Sequence, residues 1–116
     1  MVNCVATLNA LAADYVGLGR WIGVATANPG TTTMAANEIS GGTPAYARAA
    51  TTWGAAGTGV QQGSTVTINI PTGTIITYGL LASAVDGDNL FDNCAVTTLT
   101  FGVQSQMVIT PTYVQT

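Results

Sequence analysis

The sequence predicts a mainly β protein, an antiparallel β-sandwich or jelly-roll-like fold with one short N-terminal helix. Three observations carry this. Six or seven short segments rich in β-branched and aromatic residues recur at roughly regular spacing. Gly, Pro and Asn clusters separate them, as tight turns between antiparallel strands require. Only the first segment spaces its apolar residues as a helix does. At 116 residues, 47% of them apolar, the chain has the length and material for one cored domain over residues 1–116.

The helix is expected over residues 3–16. Cys4, Leu8, Leu11 and Tyr15 fall at successive intervals of four, three and four and form one apolar stripe. Asn3 is the expected N-cap, and Gly17 and Gly19 the expected stop. Strands and turns then follow through residues 20–116. "RWIGVATA" (20–27) reads as a strand closed by the turn "NPG" (28–30). Residues 31–43, small and polar, read as a loop. "AYARAATTW" (45–53) is expected as a strand with Tyr46 and Arg48 on one face. "STVTINIP" (64–71) alternates most clearly, with Val66, Ile68 and Ile70 facing one way and Thr65, Thr67 and Asn69 the other. "TIITYGLLAS" (74–83) is continuously apolar, which suits a central strand. "DGDN" (86–89) is a turn, and "AVTTLTF" (95–101) and "QMVITPTYV" (106–114) supply the last strands. Pro111 places the final one at a sheet edge, because proline donates no ladder hydrogen bond.

Charge excludes several functions. Charged residues make up 6% of the chain, against roughly 25% in an average soluble domain. The cations are Arg20 and Arg48; there is no Lys and no His. Two arginines cannot build the basic patch that nucleic acid or an anionic membrane surface demands. A net charge of −3 gives weak repulsion between copies, so the chain is expected to associate, as a homo-oligomer with much of its surface against other protein, with a free monomer of an ordinary Thr-rich β type as the alternative. No apolar run approaches the length of a membrane span, and the start of the chain lacks a secretory leader's basic region, which points to synthesis in a cytosol. Cys4 and Cys94 stand ninety positions apart without a neighbouring Cys or His. They are expected as buried free thiols, with a long-range disulfide as the alternative in an oxidising compartment.

Catalytic chemistry finds little to work with. The commonest general base and the Schiff-base amine are both absent, so no catalytic residue, cofactor or metal site is expected. "DGDNLFDN" (86–93) offers oxygen ligands. A calcium loop counted from Asp86 would need Gly and Glu where Phe91 and Thr97 stand, and an Asp-Gly turn explains the same letters. The aromatic residues, Trp21, Trp53 and Tyr113 among them, are expected in core packing, with a surface that grips a partner subunit or a sugar as the alternative. Arg48 is the residue that stands out. Its planar fork is expected to clamp the 31–43 loop through Glu38 or through loop carbonyls, with an exposed arginine that improves solubility as the alternative. Glu38, Tyr46, Arg48 and Trp53 are therefore the candidate structural and interaction residues.

The stretch "ATANPGTTTMAANEISGGTPAYARAATTWGAAGTG" (25–59) resembles a recurrent group of small bacteriophage structural proteins. The likeness rests on Asn28-Pro29-Gly30, Asn37-Glu38, Gly41-Gly42, Tyr46-Ala47-Arg48 and Trp53, in that order and spacing, and on the turn and strand in "INIPTGTIITYGLLAS" (68–83). The chain departs from the pattern at a strand histidine, replaced near Ala25, and in a longer loop around Thr33 and Met34. The resemblance implies a non-enzymatic virion protein assembled in the host cytoplasm, of the head-decoration, minor capsid or minor tail type. Its partners would be major capsid or tail proteins and further copies of itself. A receptor- or glycan-binding tail-fibre module and a subunit of a self-assembling surface filament are the competing expectations.

Overall fold

The computed structural model describes residues 4–116 and is mainly β, with antiparallel pairing throughout and one short N-terminal helix. The helix α1 spans Val5–Val16, and the strands are β1 (Trp21–Ala25), β2 (Ala49–Ala50), β3 (Trp53–Gly57), β4 (Val60–Gly63), β5 (Val66–Ile70), β6 (Thr74–Ala82), β7 (Leu90–Phe101), β8 (Ser105–Ile109) and β9 (Thr112–Val114). They form a four-stranded sheet in the order β2-β1-β6-β7, a three-stranded sheet β3-β4-β9 and a pair β5-β8.

The core lies between the four-stranded sheet and the β5-β8 pair. Ile22 and Leu81 are cross-strand partners and so share a face. With Val24 and Ile76 they pack in one buried cluster with Val66, Ile68 and Ile70 of β5. The alternation read in β5 is thus realised, each buried aliphatic side chain contributing about 1.5–3 kcal/mol. The opposite face buries a smaller cluster, Ala25, Leu80, Ala82 and Leu90, under Ala35 of the long loop, Trp21 and Tyr78. β6 is central, as its apolar run requires, between β1 and β7.

Several expectations need correction. Residues 45–53 are not one strand. Tyr46 N–H closes a turn onto the Gly41 carbonyl at 2.8 Å, and only Ala49–Ala50 pair with β1 before β3 begins at Trp53. The reason is that Tyr46 and Arg48 both turn inward, to the same carboxylate. The Gly- and Ala-rich stretch after Trp53, which has no alternation, forms the β3-β4 hairpin, with Gly59 at φ 66° in its turn. On α1, Ala12 is the buried residue and Leu11 is exposed, so the inner face runs through Leu8, Ala12 and Tyr15. The expected cap Asn3 lies outside the described residues; Cys4 occupies the N-cap without a side-chain bond. Cys4 and Cys94 are both free and exposed, not buried.

The expected final strand over 106–114 is broken in two, because Pro111, which has no N–H for a ladder, lies in neither β8 nor β9. β8 and β9 are separate, and β9 sits at the edge of its sheet, beside β4. β7 is longer than expected, because Leu90–Ala95 continue the ladder along β6. It is an edge strand, and its register shifts between the partners of Ile76 and Tyr78. The molecule measures 47 × 26 × 23 Å with a radius of gyration of 14.8 Å, against about 13 Å for a compact chain of this length.

Candidate functional site

The strongest constellation is Glu38, Tyr46 and Arg48, along the flank of β1 that the short strand β2 leaves uncovered. Its scaffold comes from the Asn-Pro-Gly turn. Asn28 Oδ1 accepts from Gly30 N–H at 2.8 Å, and Asn37, at φ 62°, donates its amide to the Asn28 carbonyl at 3.0 Å. An Asx turn and a left-handed Asn are low-cost ways to reverse a chain. The loop then returns antiparallel to β1. Thr26 N–H donates to the Asn37 carbonyl, Ile39 N–H donates to the Val24 carbonyl, and Glu38 bridges Ala25. Glu38 is thereby held over the β1 edge while Ile39 enters the core.

Arg48 uses all five of its N–H groups. Nε donates to Glu38 Oε2 and Nη2 to Glu38 Oε1, both at 2.8 Å. Nη1 donates to the Ala84 carbonyl at 3.0 Å and to Asn89 Oδ1 at 2.7 Å, and Nη2 also donates to the Gly87 carbonyl at 3.0 Å. Tyr46 donates its hydroxyl to Glu38 Oε2 at 2.6 Å and accepts from Val24 N–H at 3.3 Å. The phenol oxygen fills the ladder position left open on β1 between β2 and the returning loop. Gly23 is required there: a Cβ would sit 2.5 Å from the Tyr46 hydroxyl.

The electrostatics follow from this closure. The Arg48 side chain is 3% exposed and that of Glu38 18%. Bidentate bonding to Glu38 raises the Arg48 pKa against the opposing effect of burial. Burial, then the hydrogen bond to Glu38, pushes the Tyr46 hydroxyl well above its ordinary range. Both carboxylate oxygens accept from Arg48, so the Glu38 charge is balanced inside the cluster. The cluster joins three chain segments: the loop that carries Glu38, the turn that carries Tyr46 and Arg48, and residues 84–89.

The expected clamp between Arg48 and Glu38 is therefore present, and Tyr46 belongs to it. Trp53 does not. Its indole N–H donates to the Gly19 carbonyl at 3.0 Å, and its ring lines a different part of the molecule. What sequence reasoning missed is the second loop: residues 84–89 supply three acceptors to Arg48. Two of these are backbone carbonyls, which no residue type announces. Asn89 was visible only as a turn letter.

The carboxylates of the 86–93 stretch are dispersed. Asp92 Oδ2 accepts from the Tyr15 hydroxyl, and Asn93 donates to the Gly30 carbonyl at 2.9 Å. The aromatic residues are mostly half-buried against the core or against each other. Tyr113 stacks on Tyr15 with centroids 3.5 Å apart, Phe91 meets Tyr15 edge-on at 5.9 Å, and the Arg20 guanidinium lies 5.8 Å from the Trp21 ring centroid.

No family model, no curated protein and no solved structure matches this chain. Among the described residues, no helix is long and apolar enough to cross a membrane.

Proposed function

We propose that this chain is a non-enzymatic structural subunit of a bacteriophage particle, one that decorates or stabilises the capsid or forms part of the tail. One observation carries the reading. The residues that give the sequence its resemblance to small phage structural proteins are spent internally. Asn28, Asn37, Glu38, Tyr46 and Arg48 bond one another or adjacent backbone, and so pin two loops to a sheet edge. Such a signature preserves a shape rather than a reaction centre.

The surface supports the same reading. Val103 is 72% exposed and Val108 66%, on a chain with very few charges. A surface with so few charges puts little electrostatic repulsion in the way of contact with another protein. The glycan-binding alternative relied on Trp21, Trp53 and Tyr113 as stacking platforms. Tyr113 already stacks on Tyr15, and the Trp21 ring faces Arg20, which weighs against that alternative.

The test is immunogold labelling of purified particles. Label spread over the heads identifies a decoration or minor capsid protein; label confined to the tail identifies a minor tail subunit. Absence of the chain from purified particles, by labelling and by mass spectrometry, overturns the proposal.

A further inference from the structure

A cavity of about 480 Å³ opens between the sheets, on the side of the molecule away from the Arg48 clamp. Its volume lies in the roughly 300–1,000 Å³ range of binding cavities. Ile22, Val24, Leu81, Val96, Met107 and Ile109 give it apolar walls. The cavity is open to solvent, and its apolar walls offer a surface that an apolar side chain from another molecule can cover.

The wall holds one charge, Asp92. Its carboxylate accepts from the Tyr15 hydroxyl and from Asn93 N–H, both neutral donors. Among the described residues the one ion pair is Arg48 with Glu38, so Asp92 has no cation there. Arg48, with every N–H already bonded, cannot serve it. The other arginine is Arg20, which is exposed. It follows Leu18, an aliphatic side chain 57% exposed at the end of α1. The segment 16–21 adjoins the cavity through a shared wall, Trp53.

We propose that this cavity is the socket of a two-fold interface between copies of this chain. Leu18 of each copy enters the apolar space of the other, and Arg20 pairs with the partner's Asp92. Charge complementarity selects the occupant: the one carboxylate on the socket wall is matched by the one arginine left outside an ion pair. A knob and a hole sharing a wall are what an isologous contact needs, because each copy must present both. The inference deepens the reading of the chain as an assembling subunit and rests on it.

The experiment is sedimentation equilibrium of the full chain with Arg20→Glu, Asp92→Arg and the double variant, each checked for native near-ultraviolet circular dichroism. The wild type is expected to dimerise, and each single reversal to weaken association by about tenfold or more, since it sets like charges against each other. The double variant is expected to recover most of the loss. If Asp92→Arg disturbs folding through Tyr15, Leu18→Glu replaces it. That position is exposed and lies away from the Tyr15 hydrogen bond, and the same weakening is expected. A wild type that stays monomeric at concentrations on the order of 100 µM overturns the socket. So does association unchanged by Arg20→Glu or Leu18→Glu, or a double variant no tighter than the singles. These failures leave the particle reading standing, because that reading falls only if the chain is missing from purified particles.

Discussion

Two tyrosine–carboxylate pairs stand on opposite sides of this fold, and only one of them has an arginine. At the β1 edge, Tyr46 donates to Glu38 and Arg48 completes the group with five hydrogen bonds. At the end of α1, Tyr15 donates to Asp92, Tyr113 stacks on the ring, and beyond them lies an open apolar cavity. The chemistry of the two pairs is the same. The first is charge-balanced and closed, so it works as a structural pin. The second keeps an unbalanced carboxylate beside unfilled space, which suits a contact made by another copy. The chain has two arginines, and Arg48 alone, by pairing with Glu38, closes its region within the monomer.

The largest effect that separates the two regions is expected from Arg48→Ala. It strands the Glu38 carboxylate and three acceptors of the 84–89 loop. Breaking a buried pair from one side costs about 3–5 kcal/mol, a large share of the roughly 5–15 kcal/mol that holds a domain folded. Urea unfolding reads this directly, and a midpoint close to wild type would show that the pin is not structural.

Next come the tyrosines. Tyr46→Phe removes a donor to Glu38 and leaves Val24 N–H without its acceptor, for an expected loss of about 1–3 kcal/mol. Tyr15→Phe removes one bond at a half-buried site and keeps the aromatic stack, for about 0.5–1.5 kcal/mol. Equal losses in thermal melts would erase the distinction between a closed and an open pair.

Two strand glycines sharpen the same contrast. An added Cβ at Gly23 would lie 2.5 Å from the Tyr46 hydroxyl and 2.8 Å from Leu80 Cδ1, so Gly23→Ala is expected to cost about 1–3 kcal/mol. At Gly79, on the cavity wall, it would meet only Val96 Cγ1 at 3.7 Å. Gly79→Ala is therefore expected to stabilise by about 0.4–1 kcal/mol, through loss of freedom in the unfolded chain. Opposite signs in denaturant melts are the expected result.

The shallowest effect is alkaline. Burial first, and then the bond to a carboxylate, raises the pKa of both Tyr15 and Tyr46 above the ordinary value of 10.0. A raised folded pKa gives stability that is whole below the unfolded pKa and declines as pH rises above it. Stability should therefore fall above about pH 10, and the Tyr15→Phe, Tyr46→Phe double variant should fall less steeply. Urea midpoints measured from about pH 9 to about pH 11.5 check this.

How much of this could be read in the sequence depended on whether a residue type carried its own signal. Val66, Ile68 and Ile70 did, because strict alternation leaves one face to bury. Arg48 and Glu38 did in part, because an arginine in so uncharged a chain stands out and Glu38 is the nearest acid in sequence, across the turn; that Arg48 is buried came from the structure. The hairpin over 53–63 did not: its Gly and Ala residues are held by backbone pairing and by Asn9 Oδ1 on Gly59 N–H. The expected strand over 45–53 failed because alternation counted Tyr46 and Arg48 as neighbours on a sheet face, whereas both reach across to one carboxylate. Tyr15 and Asp92 lie 77 positions apart, and no local pattern links them. The cysteines were expected inside on residue type alone. Cys94 falls instead in the exposed stretch of the β7 edge strand, where one flank has no partner.

The account rests most directly on the Arg48–Glu38 pair acting as one closed unit. A double-mutant cycle tests this, with urea unfolding of wild type, Arg48→Ala, Glu38→Ala and the double variant. The double variant is expected to be little worse than either single, so the coupling is close to one single loss, about 3–5 kcal/mol, because each single strands a buried charge and the double strands none. Additive losses would mean that the two residues act independently, and would contradict the closed pin from which the contrast between the two regions is drawn.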